Sequence, residues 1–177
     1  MRTGRNRHQL VVRTLSARST VGELQFGPLR CRCALGRTGC RVLKREGDGA
    51  TPSGEWPVRE VFFRPERLRR PKTQLPLRPI AFPDGWCDAP RDRNYNRRVV
   101  HPYPASAEHL WRTDGLYDIV VVLGYNDAPR IDGRGSAIFL HCAWDDYAPT
   151  QGCIAVRRAD LFRLLPYLNR KMTLRIP

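Results

Sequence analysis

Ser136 to Val156 reads SAIFLHCAWDDYAPTQGCIAV. Two apolar runs flank a polar loop that carries a proline and a glycine. Strand alternation over Ser136 to Ala143 puts Ala137, Phe139 and His141 on one face, and Ile138, Leu140 and Cys142 on the other. After the loop the chain resumes an apolar run at Cys153. A strand, a polar turn and a return strand predict a hairpin-like connection that brings His141 back near Cys153.

The pattern continues outward. Leu29, Cys31, Cys33 and Leu35 alternate with Arg30, Arg32 and Ala34, which predicts a half-buried strand with both cysteines inward as small apolar side chains. Glu55 to Arg64 and the last segment, with Met172, Leu174 and Ile176, read as strands as well. Tyr117 to Tyr125, YDIVVVLGY, is a continuous apolar run and therefore a central strand. Leu161, Leu164, Leu165 and Leu168 recur at helical spacing from Arg158 onward, with Pro166 limiting the helix. Glu46 to Gly54, EGDGATPSG, is turn chemistry, in which Asp48 is a turn former. Leu68 to Asp92, rich in Pro and Arg, reads as a long surface excursion. Short strands with abundant Gly and Pro and one principal helix predict a mainly β fold, a sandwich or barrel. The expected organisation is a basic N-terminal tail over residues 1–9 and one domain over 10–177.

Net charge is +14, which favours anionic partners such as nucleic acid or an acidic wall polymer. The arginines are spread along the chain rather than gathered in a block, and no helix-turn-helix, zinc-finger spacing or aromatic ladder accompanies them. Nucleic acid is therefore not the expected partner. The longest apolar stretch, Ile119 to Leu123, is far too short to span a membrane. Leu10-Val11-Val12 is cut short by Arg13, so no signal peptide is visible. Six cysteines include no CxxC pair, and Cys31-Arg32-Cys33 with Cys40 matches zinc spacing poorly, so no metal is expected. A disulfide among Cys31, Cys33, Cys40 and Cys87 remains an open alternative.

A thiol attacks a carbonyl as thiolate, and histidine is its natural base. Of the four histidines, only His141 lies on an expected core strand. His141 and Cys153 are therefore the candidate catalytic pair, with ordinary core packing of both as the alternative that the residues alone leave open. Thr150, three residues before the thiol, is the candidate orienter of the imidazole. Gly152 permits close backbone approach and is a candidate oxyanion-hole amide. Trp86 and Trp144 are candidate groove-lining residues.

This segment resembles the active-site stretch of the YkuD-like L,D-transpeptidase family, at His141, Thr150, Gly152, Cys153 and Ile154. KREGDGATPSGEWPV (Lys44 to Val58), DGWCDAPRDRNYNR (Asp84 to Arg97) and YDIVVVLGYND (Tyr117 to Asp127) extend the likeness to the branch made of the catalytic domain alone. Two positions depart from the more familiar motif: Gln151 stands where a His precedes the Gly, and Cys142 stands where Gly or Ser follows the base. Gln151 then joins the candidate substrate contacts.

The resemblance implies a β-sandwich-like catalytic domain and acyl transfer through a Cys153 thioester. The substrates would be peptidoglycan stem peptides, and no cofactor is called for. The acyl donor would be diaminopimelate or a residue near the stem L-Ala; the acceptor would be an amine or water. It also implies a periplasmic or cell-wall-associated site, with a cytoplasmic one left open by the missing signal. Two alternatives stand beside it: another cysteine amidase or peptidase, and a basic nucleic-acid or cell-wall binding module.

Overall fold

The computed structural model describes residues 9–177. The basic tail expected over 1–9 lies outside them except for Gln9, which opens the first strand. Along the chain the strands are β1 (Gln9–Arg13), β2 (Val21–Phe26), β3 (Leu29–Ala34), β4 (Cys40–Arg41), β5 (Thr51–Pro52), β6 (Gly54–Phe63) and β7 (Leu77–Pro79). There follow β8 (Asp84–Cys87), β9 (Arg97–Val100), β10 (Ala107–His109), β11 (Ile119–Leu123), β12 (Phe139–Cys142) and β13 (Ile154–Val156). Helix α1 (Arg158–Leu164) runs into a 3-10 turn at Leu165–Tyr167, and β14 (Thr173–Ile176) completes the set. Pro166 has no N–H to continue the α-helical ladder, which fits the tightening of the last turn.

The fold is mainly β. Strands β11, β12, β13, β3, β2, β1, β14 and β6 are hydrogen-bonded in that order, and β6 pairs back onto β11. Eight strands thus close into a mixed barrel without free edges. The pairs β1–β14 and β12–β13 are parallel, while the rest of the barrel is antiparallel. Among the described residues no helix is long and apolar enough to cross a membrane.

Alternation fills the barrel from alternate positions: Leu10 and Val12, Cys31 and Cys33, Ile119 and Val121, Leu140 and Cys142, Leu174 and Ile176; on β6 a register shift against β11 brings Val58 and Val61 inward together. Leu161, Leu164, Leu165 and Leu168 of the helical segment join the same core. All six cysteines are free and buried, so none is in a disulfide.

Strand β11 is buried at every position. Its second face, with Val120 and Val122, packs in a separate core with Phe62, Ile80, Trp86, Leu110, Tyr117, Phe139 and Cys153. Burial on both faces is why its sequence is a continuous apolar run rather than an alternating one. The cover on this outer face includes residues from the segment expected to be a surface excursion. That segment contributes β7, whose Leu77 pairs with Val61 of β6, and β8, which pairs with β9 and β10 in a small antiparallel sheet. Buried Trp86 and Ile80 anchor it. Its Pro and Arg content concealed apolar anchors spaced too irregularly for a helical or strand pattern.

A second expectation is corrected. The link from His141 to Cys153 is not a hairpin: β12 and β13 are parallel, with Leu140 opposite Ile154 and His141 opposite Ala155. A hairpin would set Cys153 near the end of β12. The loop instead carries the chain back toward the start of β12, which sets Cys153 opposite Phe139.

Candidate active site

His141 and Cys153 line one cleft of about 450 Å³. Both point to the outer face of the barrel, as the alternation of β12 requires. Cys142, the inward neighbour of His141, packs in the barrel core. The register offsets the backbone positions of His141 and Cys153 by about two residue rises, roughly 6.6 Å along the strand direction.

The thiol of Cys153 donates to the Ala137 carbonyl at 3.1 Å, and Sγ accepts the Phe139 amide at 3.4 Å. Ala137 sits at φ 52°, a left-handed conformation that a non-glycine residue adopts at a cost of about 1 kcal/mol. Its amide donates to Asn96 Oδ1 at 3.1 Å, which also accepts the Trp86 indole N–H at 3.0 Å. The Asn96 amide group in turn donates to the carbonyls of Tyr125 and Asn126, at 2.9 and 2.8 Å. Buried Asn96 therefore holds the residue that holds the sulfur. No sequence pattern singles Asn96 out, because its side-chain partners come from three separate segments.

Trp86 differs from its expected place. Its ring meets Phe139 edge-on at 5.2 Å, and it is 8% exposed. It supports the strand beneath the cleft and is not among the residues lining it. An indole this buried needs a partner for its N–H, and Asn96 supplies one. Trp144 and Gln151 do line the cleft, both exposed.

The ring nitrogen Nδ1 of His141 lies 2.8 Å from the Cys142 carbonyl. A carbonyl only accepts, so Nδ1 carries the proton and Nε2 offers its lone pair. The ring also meets Tyr117 edge-on at 5.1 Å. Thr150 does not occupy the orienting place expected of it. Its hydroxyl donates to the Cys153 carbonyl at 2.7 Å and accepts the Gly152 amide at 3.1 Å. The Gly152 amide is thereby spent within the turn rather than aimed at an oxyanion. Glycine is required there for another reason: φ is +133°, and a Cβ would lie 2.7 Å from the Ala50 carbonyl. Asp48 behaves as the turn former it was expected to be, accepting the amides of Arg45 and Ala50 at 2.8 Å each.

Burial pushes the Cys153 thiol up to about 12, with Glu108 adding to the rise. Burial likewise lowers His141 to about 4, against the hydrogen bond to Cys142 that favours its charged form. At neutral pH the pair rests as thiol and neutral imidazole. Glu46, Asp88 and Glu108 also line the cleft, beside a single Arg112. Arg112 is held by Asp114, and Glu108 accepts the Tyr117 hydroxyl. This wall is acidic although the whole chain is at +14. Asp88, Glu108 and Arg112 went unnoticed in the sequence because packing of the stretch around the small β8–β10 sheet places them, while Glu46 lies in the Gly-rich turn, where only Asp48 was singled out. Among the described residues no group of three or more His, Cys, Asp or Glu side chains is placed to hold a metal ion.

A closed barrel with a histidine on β12 and a cysteine just before β13, both lining one cleft, is an arrangement suited to cysteine acyl transfer. The chain belongs to the YkuD family of L,D-transpeptidase catalytic domains, whose sequence model matches residues 10–176. It is thus a cysteine-dependent transpeptidase of the class that crosslinks peptidoglycan. No curated protein and no solved structure matches it significantly.

Proposed function

We propose that Cys153 carries the acyl group of a peptidoglycan stem peptide as a thioester and passes it to an amine. The observation that carries this reading is the shared cleft of Cys153 and His141, on one face of neighbouring parallel strands. His141 Nε2 takes the thiol proton as Sγ attacks the donor carbonyl carbon and the C–S bond forms. The tetrahedral intermediate then expels the amine of the departing residue, which takes that proton from the imidazole. In the second step an acceptor amine attacks the thioester carbon, His141 removes its proton, and an amide replaces the C–S bond. With water as acceptor the same steps amount to carboxypeptidase action.

Because thiol and imidazole are both neutral at rest, proton transfer between them is uphill in the empty cleft. Substrate that excludes water and brings a polarised carbonyl to Sγ is what draws the proton across. The carboxylates of Glu46 and Asp88 favour an acceptor that arrives as an ammonium, such as the side-chain amine of a diaminopimelate residue, while burial raises the Glu108 carboxyl. We take an amine in preference to water as the physiological acceptor on this ground.

Peptidoglycan lies outside the cytoplasmic membrane, so the proposed reaction belongs there; cell fractionation tests it. The enzymatic test is incubation with purified muropeptides and mass spectrometry of the products. New crosslinked dimers, absent with Cys153→Ala, support the reading. Cleavage of unrelated amides without any stem-peptide product would favour a general cysteine amidase.

A further inference from the structure

Lys44 is 3% exposed, an unusual place for an ammonium. Burial of a cation costs several kcal/mol unless it is paired. Its Nζ donates to Asp48 Oδ1 at 2.7 Å and to the Arg45 carbonyl at 3.3 Å. The pair ties together the Gly-rich turn at 44–50. That turn abuts the one that presents the nucleophile: a Cβ on Gly152 would lie 2.7 Å from the Ala50 carbonyl and 3.4 Å from Lys44 Nζ. The lysine stem packs against Gly135, where a Cβ would meet Cε at 2.8 Å. Two glycines thus make room for one buried ammonium beside the Gly152–Cys153 peptide.

We propose that Lys44 is a positioning residue whose charge stabilises negative charge on the Gly152–Cys153 turn, first the thiolate and then the oxyanion of the tetrahedral intermediate. The oxyanion half rests on the acyl-transfer reading above; the thiolate half does not. The need for such a charge follows from the cleft. Glu108, Glu46 and Asp88 line it beside Cys153, with Tyr117 and His141 neutral and Arg112 engaged by Asp114. Burial and Glu108 raise the thiol, while the Phe139 amide and Lys44 pull it down. Asp48 and the Tyr125 ring, which contacts the same Gly135 position, are the groups that face Lys44 from its other side.

The opposite charges of the pair provide a test that a structural role does not mimic. Breaking the pair from either end loosens the turn, so a structural role shifts both variants alike. An electrostatic role shifts them oppositely. The readout is the rate of iodoacetamide alkylation at Cys153 between pH 6 and 9, followed by peptide mass, with melting curves recorded alongside. The expected rate in Lys44→Met is about tenfold below wild type at pH 8, by the field of one charge at close range. Asp48→Asn raises the rate several-fold, and Lys44→Arg stays within about threefold of wild type. An unchanged rate in Lys44→Met, or a fall in both Lys44→Met and Asp48→Asn, overturns the proposal. Should Lys44→Met fail to fold, Asp48→Asn decides alone: a raised rate supports the proposal and an equal or lower one overturns it. Alkylation needs no peptide. Opposite shifts in a protein that makes no muropeptide product would retire the acyl-transfer reading and leave the thiolate role of Lys44 standing.

Discussion

Cys153 sits opposite Phe139 on the strand beside His141, one pleat repeat short of the imidazole and on its face. Cys142, adjacent to His141 in sequence, faces the other way. The two thiols nearest the histidine therefore have opposite fates on substitution. Cys153→Ala abolishes turnover and leaves the melting temperature within a few degrees of wild type. Cys142→Ala keeps kcat and loses about 1 kcal/mol of stability, a fall of roughly 2–4 °C. Parallel melting curves and turnover assays of the two variants check this.

His141 gives stability a pH dependence. Its folded pKa is lowered from 6.5 to about 4, so the unfolded chain binds more protons between those values. The contribution of the neutral ring is complete above pH 6.5 and is lost as pH falls toward 4. The loss amounts to roughly 3 kcal/mol. Urea unfolding at pH 7, 5.5 and 4 measures it, and His141→Phe flattens that part of the profile.

Two tryptophans that look alike in sequence separate in structure. Trp144 is 46% exposed at the cleft, where a bound peptide would meet it. Trp144→Ala raises KM several-fold with an unchanged melting temperature. Trp86→Ala removes a buried ring and leaves Asn96 and Ala137 less firmly held. It costs about 3–5 kcal/mol of stability. Steady-state kinetics with thermal melts distinguishes the pair.

Thr150 acts on the sulfur's own turn. Thr150→Val removes the donor to the Cys153 carbonyl and the acceptor for the Gly152 amide. The expected result is a fall in kcat of about 10- to 100-fold, as a misplaced nucleophile implies. Nitrogen chemical shifts of His141 stay those of the Nδ1–H tautomer, since the Cys142 carbonyl is untouched. A change of tautomer would return the orienting role to Thr150.

Barrel strands β3, β6, β11, β12, β13 and β14 were legible in the sequence, while β1 and β2 were not singled out. Leu29 to Leu35 and Ser136 to Ala143 betray a buried face through a period of two. Tyr117 to Tyr125 does so through burial on both sides. The direction of β13 was not legible, because a polar loop of this length suits either an antiparallel or a parallel return. The choice depends on which edge of β3 is open to accept it. The candidate pair was named from side-chain chemistry together with the family resemblance, since the residues alone suit core packing equally. Asn96, Glu108 and Arg112 were not, since they reach the site from the stretch between β8 and β11, whose course follows from packing against β11 and β12; Tyr117 was read only as the start of the central strand. Gly152 was singled out correctly for its backbone freedom, but its amide goes to Thr150.

The central claim is that the Cys153 sulfur carries the acyl group. Intact-mass spectrometry of the protein quenched in acid during incubation with a stem tetrapeptide tests it. The expected result is an added mass equal to the donor peptide less its departing residue, mapped to the Cys153 peptide and absent from Cys153→Ala. Sustained peptide turnover by Cys153→Ala, or an adduct on another residue, would contradict it.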